Sequence, residues 1–525
     1  VQLRNKFFTV LPAILLAGTV ACGDDDNGTG NGNGNGPGNG DGGVDPGDDV
    51  IVGDPTDLSG RGDWGGFIMS GFGIDNDSDE NGELTSEASP PDSPRWFGGN
   101  DNSDSSGTMT YTIIAETGFE FQENEEVQGL TLEAVGSGTT LDFIQILGSE
   151  DDCIEWFGGE AGMTHAICNG VDDDGLDIDE GYVGNIQYAI VRQGAQNGDR
   201  GIESDSKFAL TPVTAPNIAN VTILGNAGKE GNDTFGALHR EGFAGKVFRS
   251  VYTDDLLAGT AFEDGCVDID DLLPMELEYR DVVMNCTPAA LHDDDDTEPD
   301  PENPDVETSD GPNFQTDAEM NGQLEFVVDN DLTIMDTLAV MTSADAPSTP
   351  LPSGLDDVSY YGAVDPSANE GWWEGWTYID PAVDGGLPGG SVVHPLEDDI
   401  TSGAITPAGE HLCSSVNDNF TNGGFVTVFG AEFPVCVMPS RINADTSLPN
   451  NHIFVFNDFL NVGTGEEQLQ GGEPSSSVTL TIEAGTQVYA QQDTGAFLVI
   501  TRGSELDAQG SAAQPIIFGA VDMDL

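Results

Sequence analysis

The sequence predicts an all-β chain wound into a right-handed parallel β-helix, a solenoid with long loops, behind a disordered N-terminal tether. Three observations predict it. From about Ser59 onward, short runs rich in Val, Ile, Thr and aromatics, with partial period-2 alternation, end on Gly, Asn or Asp; that is strand grammar, and no long 3.6-residue period competes with it. The loops between runs are very unequal in length, which coil corners accept and hairpin architectures tolerate poorly. The phrases VTLTIEAGTQVYA (478–490), GAFLVITRGSELDAQG (495–510) and QPIIFGA (514–520) recur at intervals of about 18 residues, as stacked rungs do. Each rung exposes an apolar face until the next one covers it, so stability is a nearest-neighbour sum.

Residues 1–22 read as an export signal. Arg4 and Lys6 precede an apolar stretch from Phe7 to Val20, and Ala21 stands directly before Cys22. The arrangement resembles a bacterial lipobox, with Thr19 in place of the usual Leu, and makes Cys22 the expected lipidation site and membrane anchor. Residues 23–56 are mostly Asp, Gly and Asn with almost no apolar side chain, and read as a self-repelling tether that cannot bury a core.

Coils are expected over 57–344, from runs such as MTYTIIAETG (109–118), LDFIQILGS (141–149) and IANVTILGN (218–226). An acidic, Pro-rich excursion interrupts them at 292–313. Residues 345–450 read as a loop-rich connector whose aromatics, Tyr360, Tyr361, Trp372, Trp373 and Trp376, cap an end of the solenoid. Residues 451–525 carry further rungs. Apart from Cys22, the six cysteines fall as three sequence-adjacent pairs. Fifteen pairings are open in principle, and the economical one in an oxidising exterior is Cys153–Cys168, Cys266–Cys286 and Cys413–Cys436. Each closes a short loop and stabilises by about 3 kcal/mol in the chain-entropy model.

Charge narrows the function. With 94 Asp+Glu against 14 Lys+Arg, the net charge is −80. Nucleic acid is excluded as a partner, since phosphate contacts need a basic stripe. Acid excess on this scale fits solubility at high salt, hence a marine or halophilic source. Asp172, Asp173, Asp174, Asp177, Asp179 and Glu180 crowd six carboxylates into nine residues. Such crowding raises pKa values or recruits a divalent cation, and oxygen-only ligands suit Ca²⁺; the glycines are out of register for an EF-hand loop. DNDSDENG (75–82) and EDGCVDIDD (263–271) are similar near misses. The competing reading is a solvated acidic surface. The RGD at 61–63 runs into Trp64-Gly65-Gly66 and reads as part of a rung motif.

For catalysis, basic groups are scarce: Arg192, Arg240 and Arg249, with His165 and His239, are the candidates a lyase would use. Arg192, in YAIVRQ, reads instead as a strand residue neutralising nearby acids. Carboxylates are too plentiful to single out a hydrolytic pair. No catalytic residue is assigned.

The ordered series RGDWGG (61–66), GLTLEAVGSGTTLDFIQI (129–146), DDCIEWFGG (151–159), DDDGLDIDEGYVGNIQYAIV (172–191) and YGAVDP…WWEGWTYID (361–380) resembles a family of large secreted or lipid-anchored β-helix-like proteins of Gram-negative bacteria. The resemblance implies fold and location and no catalytic residue. One departure matters. Phrases like those at 478–525 normally precede RGDWGG in that family, as opening rungs. Three arrangements stay open: the start of a second tandem unit, a permuted solenoid in which 451–525 stacks on residues 60–75 of the same chain, or head-to-tail stacking on another molecule. Intramolecular stacking is the expectation, because an uncapped coil edge is a pairing liability.

These readings converge on a surface or outer-membrane lipoprotein with a structural or adhesion role, its partners being glycans or other cell-surface proteins. A polysaccharide lyase or glycoside hydrolase on the same scaffold is the second class. A non-catalytic glycan binder using Trp156, Trp372 or Trp373 as stacking platforms is the third.

Overall fold

The computed structural model describes residues 61–522, apart from 90–93, 121–126, 193–197, 208–209, 226–233, 258–260, 263–264, 270–275, 287–288, 290–323, 336, 379–393, 410–411 and 493. The chain divides into units 1–48 and 49–525, and every described residue belongs to the second. The export signal, Cys22, the tether and the 292–313 excursion lie outside the described residues.

The fold is a parallel β-helix. One wall is a ten-stranded sheet. Its members include Phe235–His239, Ile202–Ser204, Leu176–Asp179, Ile154–Phe157, Leu130–Glu133, Gly66–Ser70, Phe497–Ile500 and Leu460–Val462, in that spatial order and all parallel. Ile154, Trp156, Leu176 and Ile178 point into the core, so alternation turns Glu155 and Asp177 outward. The three expected disulfides are present, with Cα–Cα distances of 5.7, 5.4 and 5.4 Å, and their sulfurs belong to the buried core.

The second wall bends once per rung. In Gly107–Thr117, Thr140–Ser149, Met163–Asn169 and Glu278–Asn285 the bend falls inside a continuous strand. The bending residues are left-handed: Tyr111, Phe143, His165, Tyr188, Asn220, Arg249 and Asp281 have φ between 47° and 63°. A bulky L residue there costs of order 1–2 kcal/mol. Parallel register puts the same bend on successive rungs, so the side chains stack and offset that cost. Tyr111 stacks on Phe143 at 4.3 Å and Phe143 on His165 at 4.2 Å, both nearly coplanar, with Tyr188 following at 4.9 Å. Arg249 and Asn220 bind loop carbonyls instead.

That column decides where the connector lies. The aromatics expected to cap a solenoid end cover its side. Trp372 meets His165 edge-on at 5.0 Å, Trp376 meets Tyr111 at 5.6 Å, and Trp373 and Trp376 are fully buried. Stacked rings on successive rungs form a continuous apolar flank, and this loop shields it from water. Side-chain amides fix its backbone: Gln145 both donates to Tyr378 O (2.7 Å) and accepts from Tyr378 N (3.0 Å), and Gln187 holds Asp356 in the same way.

The coil resumes earlier than residue 451. Ala431–Val437 already pairs in parallel with Ile453–Phe456, and Thr446–Leu448 with Thr479–Ile482. Ala431–Val437 also forms an antiparallel hairpin with Thr421–Val428, a local exception to the parallel rule.

The C-terminal rungs stack on the first coil of their own chain. Gly66–Ser70 pairs with Phe497–Ile500 on one side and Leu130–Glu133 on the other. On the second wall, Gly107–Thr117 receives both Glu505–Gln509 and Ile516–Val521. The approach is close: a Cβ on Gly107 would sit 2.0 Å from Leu506 O, and its φ of 108° also favours glycine. Phe67 packs edge-on against Phe518 at 5.1 Å, and Trp64 Nε1 donates to Ala115 O. The edge that a second molecule would need for head-to-tail stacking at Gly66–Ser70 is therefore occupied by residues 497–500.

Candidate divalent-cation site

Three neighbouring rungs repeat one short phrase: Asp152-Cys153-Ile154-Glu155, Asp174-Gly175-Leu176-Asp177 and Arg200-Gly201-Ile202-Glu203. In each, the aliphatic residue enters the core and the acid after it faces outward. Parallel register places Glu155 opposite Asp177, and Asp177 opposite Glu203. Adjacent strands lie about 4.8 Å apart, so the carboxylates form a ladder. The turns leading into these strands add Asp151, Asp152, Asp173, Asp174 and Asp199 beside it.

Three triplets bring their oxygens within 4.8 Å of one another: Asp151–Asp152–Asp173, Asp152–Glu155–Asp177 and Asp173–Asp174–Asp199. Asp152 belongs to two of them, and so does Asp173. The middle triplet is enclosed, with Asp152, Glu155 and Asp177 only 5%, 2% and 9% exposed. Backbone donors hold the cage open. Asp174 N donates to Asp152 Oδ1 at 2.9 Å, and Arg200 N to Asp174 Oδ1 at 2.6 Å. Burial, and then the charge of Asp151 and Asp177, pushes the Asp152 carboxyl well above its ordinary range. Burial, and then Glu203 and Asp173, does the same to Asp174. The basic groups at the ladder among the described residues are Arg240, which pairs with Glu203, and Arg200, which pairs with Glu203 and with Asp199 of the third triplet. Crowded, dehydrated carboxylates with oxygen-only chemistry fit a hard divalent cation such as Ca²⁺.

The six acids singled out in the sequence do not act as one set. Asp173, Asp174 and Asp177 join the cage, and Asp172 lies beside it with its N–H bonded to Ser149 O. Asp179 and Glu180 sit at the far end of their strand, where Glu180 meets Asp75 and Lys207, and Asp179 meets Asp205. The cage also draws on Asp151, Asp152, Glu155 and Asp199, which sequence reasoning missed. The signal was present in the Asp-x-Ile/Leu-acid phrase that recurs after 22 residues, at Asp152 and Asp174, and returns 26 residues later with Arg200 in place of the Asp.

The basic candidates are all engaged. Arg192 Nε contacts Asp255 at 2.6 Å, both side chains 3% exposed. Arg249 binds Thr349 O and Asp357. Arg240 is held by Glu203 and Asp205. His239 is fully buried, its Nδ1 2.6 Å from Ser204 Oγ and its Nε2 2.7 Å from the Tyr279 hydroxyl. His165 is stacked in the bend column with Nδ1 against Asp142. Trp156 and Trp373 are buried, which removes them as stacking platforms, and Trp372 is half-buried under Ala363 O. Arg61 of the RGD is bonded to Gly170 O.

No curated protein and no solved structure matches the chain. One family does, described as a pectate-lyase-like beta helix domain, and it matches residues 48–345, more than half of the sequence. The stack observed here continues past that match through 431–521. Parallel rungs, two packed walls and the matched span agree: the chain belongs to the pectate-lyase-like β-helix domain family.

Proposed function

We propose that the protein is a lipid-anchored scaffold or adhesion module at the outer membrane or cell surface of a Gram-negative bacterium, its coil braced by Ca²⁺ in the Asp152 cage. The pectate-lyase-like β-helix fold supports a polysaccharide-related or a structural role. The observation that favours the structural one is the fate of the basic groups: Arg192, Arg249 and His239 are buried in internal contacts, and Arg240 is tied to Glu203 and Asp205. A general base for lyase chemistry must be free to take a substrate proton, and each of these groups is already bonded within the fold, the partly exposed Arg240 included. The Asp152–Glu155–Asp177 triplet is buried, with its oxygens within 4.8 Å of one another, an arrangement suited to bracing rungs and not to gripping a sugar. A chain of net charge −80 also repels polyanionic glycans unless cations bridge them.

Cys22 carries the anchor in this reading. Cys22→Ala is expected to move the protein from the membrane fraction to the soluble one, while wild type on intact cells is labelled by a membrane-impermeant reagent. A soluble wild-type pool that resists labelling sinks the location. Incubation with neutral and sulfated polysaccharides in Ca²⁺ is expected to leave chain length unchanged; new reducing or unsaturated ends would replace the scaffold by an enzyme.

A further inference from the structure

A second group of acids lies at the opposite end of strand Leu176–Asp179, and different segments build it. Asp75 and Asn76 belong to the loop after Gly66–Ser70, and Glu180 to the turn after Leu176–Asp179. Asn76 N donates to Glu180 O at 2.9 Å, which brings the loop onto that turn. Glu180 has φ 53°, the left-handed corner that aims its carboxyl back at the loop.

Asp75 is 2% exposed and Asn76 is 8% exposed. Asp75 Oδ1 accepts from Asp77 N at 2.8 Å, but its buried Oδ2 meets no donor among the described residues; the group within hydrogen-bonding reach is the Glu180 carboxyl. Asn76 Nδ2 donates to Ser206 O (3.1 Å) and Pro212 O (3.0 Å), which uses its donors and fixes the amide orientation. Its buried Oδ1 is left without a donor. Lys207 does not serve these atoms, because its ammonium bridges Glu180 Oε1 and Asp77 Oδ2. Two carboxyls facing each other with no donor between them need a proton or a cation there, and a neutral carbonyl oxygen beside them is a further ligand only for a cation.

We propose that Asp75, Asn76 and Glu180 form a second divalent-cation site, selective for Ca²⁺, that staples the loop after Gly66–Ser70 to the coil. Two carboxylates and an amide carbonyl from three positions are the oxygen-only donors that Ca²⁺ takes. Burial and the Glu180 charge drive the Asp75 carboxyl well above its usual range, a cost that a bound cation would relieve. The site shares no residue with the Asp152 cage, so each stands or falls alone.

Equilibrium dialysis of the full chain against Ca²⁺ separates the cases. Asp75→Asn is expected to bind one ion fewer than wild type and to lose part of the Ca²⁺-induced rise in melting temperature. Asp152→Asn is expected to lose other ions and keep this one. Asn76→Ala, with both carboxyls intact, is expected to weaken this ion's affinity by roughly tenfold or more. The proposal is overturned if Asp75→Asn keeps the wild-type ion count and melts higher in chelator at pH 7. In that case the two carboxyls share a proton, which the amide replaces. Should Asp75→Asn fail to fold, unchanged Ca²⁺ binding by Asn76→Ala overturns it equally.

Discussion

Arg502→Met is expected to destabilise the seam between the C-terminal rungs and the first coil by about 3–5 kcal/mol, the usual cost of stranding one member of a buried ion pair. Arg502 is 1% exposed. Its guanidinium contacts Glu83 Oε1 (2.8 Å), Gly98 O (2.9 Å), Gly465 O (2.9 Å) and Glu467 O (2.7 Å), and lies over the Phe72 ring. One side chain thus ties the loop after the first strand to rungs some 400 residues later. Burial pushes the guanidinium pKa down and Glu83 pushes it back up, so the pair offsets the cost of burying each charge. Glu83 also accepts from Leu469 N and Gln470 N, both at 2.7 Å, and without Arg502 it remains a buried anion. Because a solenoid is stabilised by nearest neighbours, the loss is local. Amide exchange in Gly66–Ser70 and Phe497–Ile500 should accelerate by roughly a hundredfold or more, while Ile190–Arg192 and Thr222–Gly225 keep their protection. Lys246→Ala is the control: its pair with Glu278 is solvent-accessible, and its loss should cost less than about 1 kcal/mol. Equal effects from the two variants would mean that the seam does not depend on this ion pair.

Much of this architecture was legible because it follows from local rules. LTLEAV, CIEWFG and LDIDEG alternate as strands must, and near-neighbour cysteines pair because Cys153 and Cys266 at one wall face Cys168 and Cys286 at the second-wall strand that follows in the chain. What escaped depends on which residue of one rung meets which residue of another. Glu155, in DDCIEWFGG, gives no signal by itself; it joins a carboxylate triplet because Asp177 lies across from it in register. Asp179 and Glu180 are near Asp177 in the chain, yet the strand carries them past the cage to a different partner. The bend column was hidden for a related reason. Tyr111, Phe143 and His165 sit inside runs that read as straight strands, and only their stacking reveals the left-handed corner each one occupies. Once that column exists, the tryptophans at 372–376 have an apolar flank to cover, and an end cap is no longer where they bury most surface.

Acidification should stabilise the protein in chelator and destabilise it in Ca²⁺. The sign follows from two sets of groups. Asp152 and Asp174 have folded pKa values raised well above their ordinary value near 3.8, mainly by burial. Their contribution is complete below the unfolded pKa and is lost as pH rises through the folded one, at about 1.4 kcal/mol per pH unit for each group. In EDTA the melting temperature should therefore climb as pH drops from 8 to 5. Ca²⁺ replaces those protons, and because its ligands must be ionised, its hold strengthens as pH rises, which cancels the carboxyl slope. The opposite slope of His239 then shows. Burial pushes its imidazole down to about 3 from 6.5. A neutral buried histidine contributes stability that is full above the unfolded pKa and is lost as pH falls towards the folded one, about 5 kcal/mol over the whole window. Melting curves at pH 5, 6, 7 and 8, at constant high salt to hold the screening of the −80 charge fixed, should cross between EDTA and Ca²⁺. His239→Phe should flatten the Ca²⁺ series and steepen the EDTA one, since the opposing slope of the buried imidazole is present in both buffers. Slopes of the same sign in both buffers would mean that the carboxylates of Asp152 and Asp174 bind no ion, and the brace proposed for the coil would be gone.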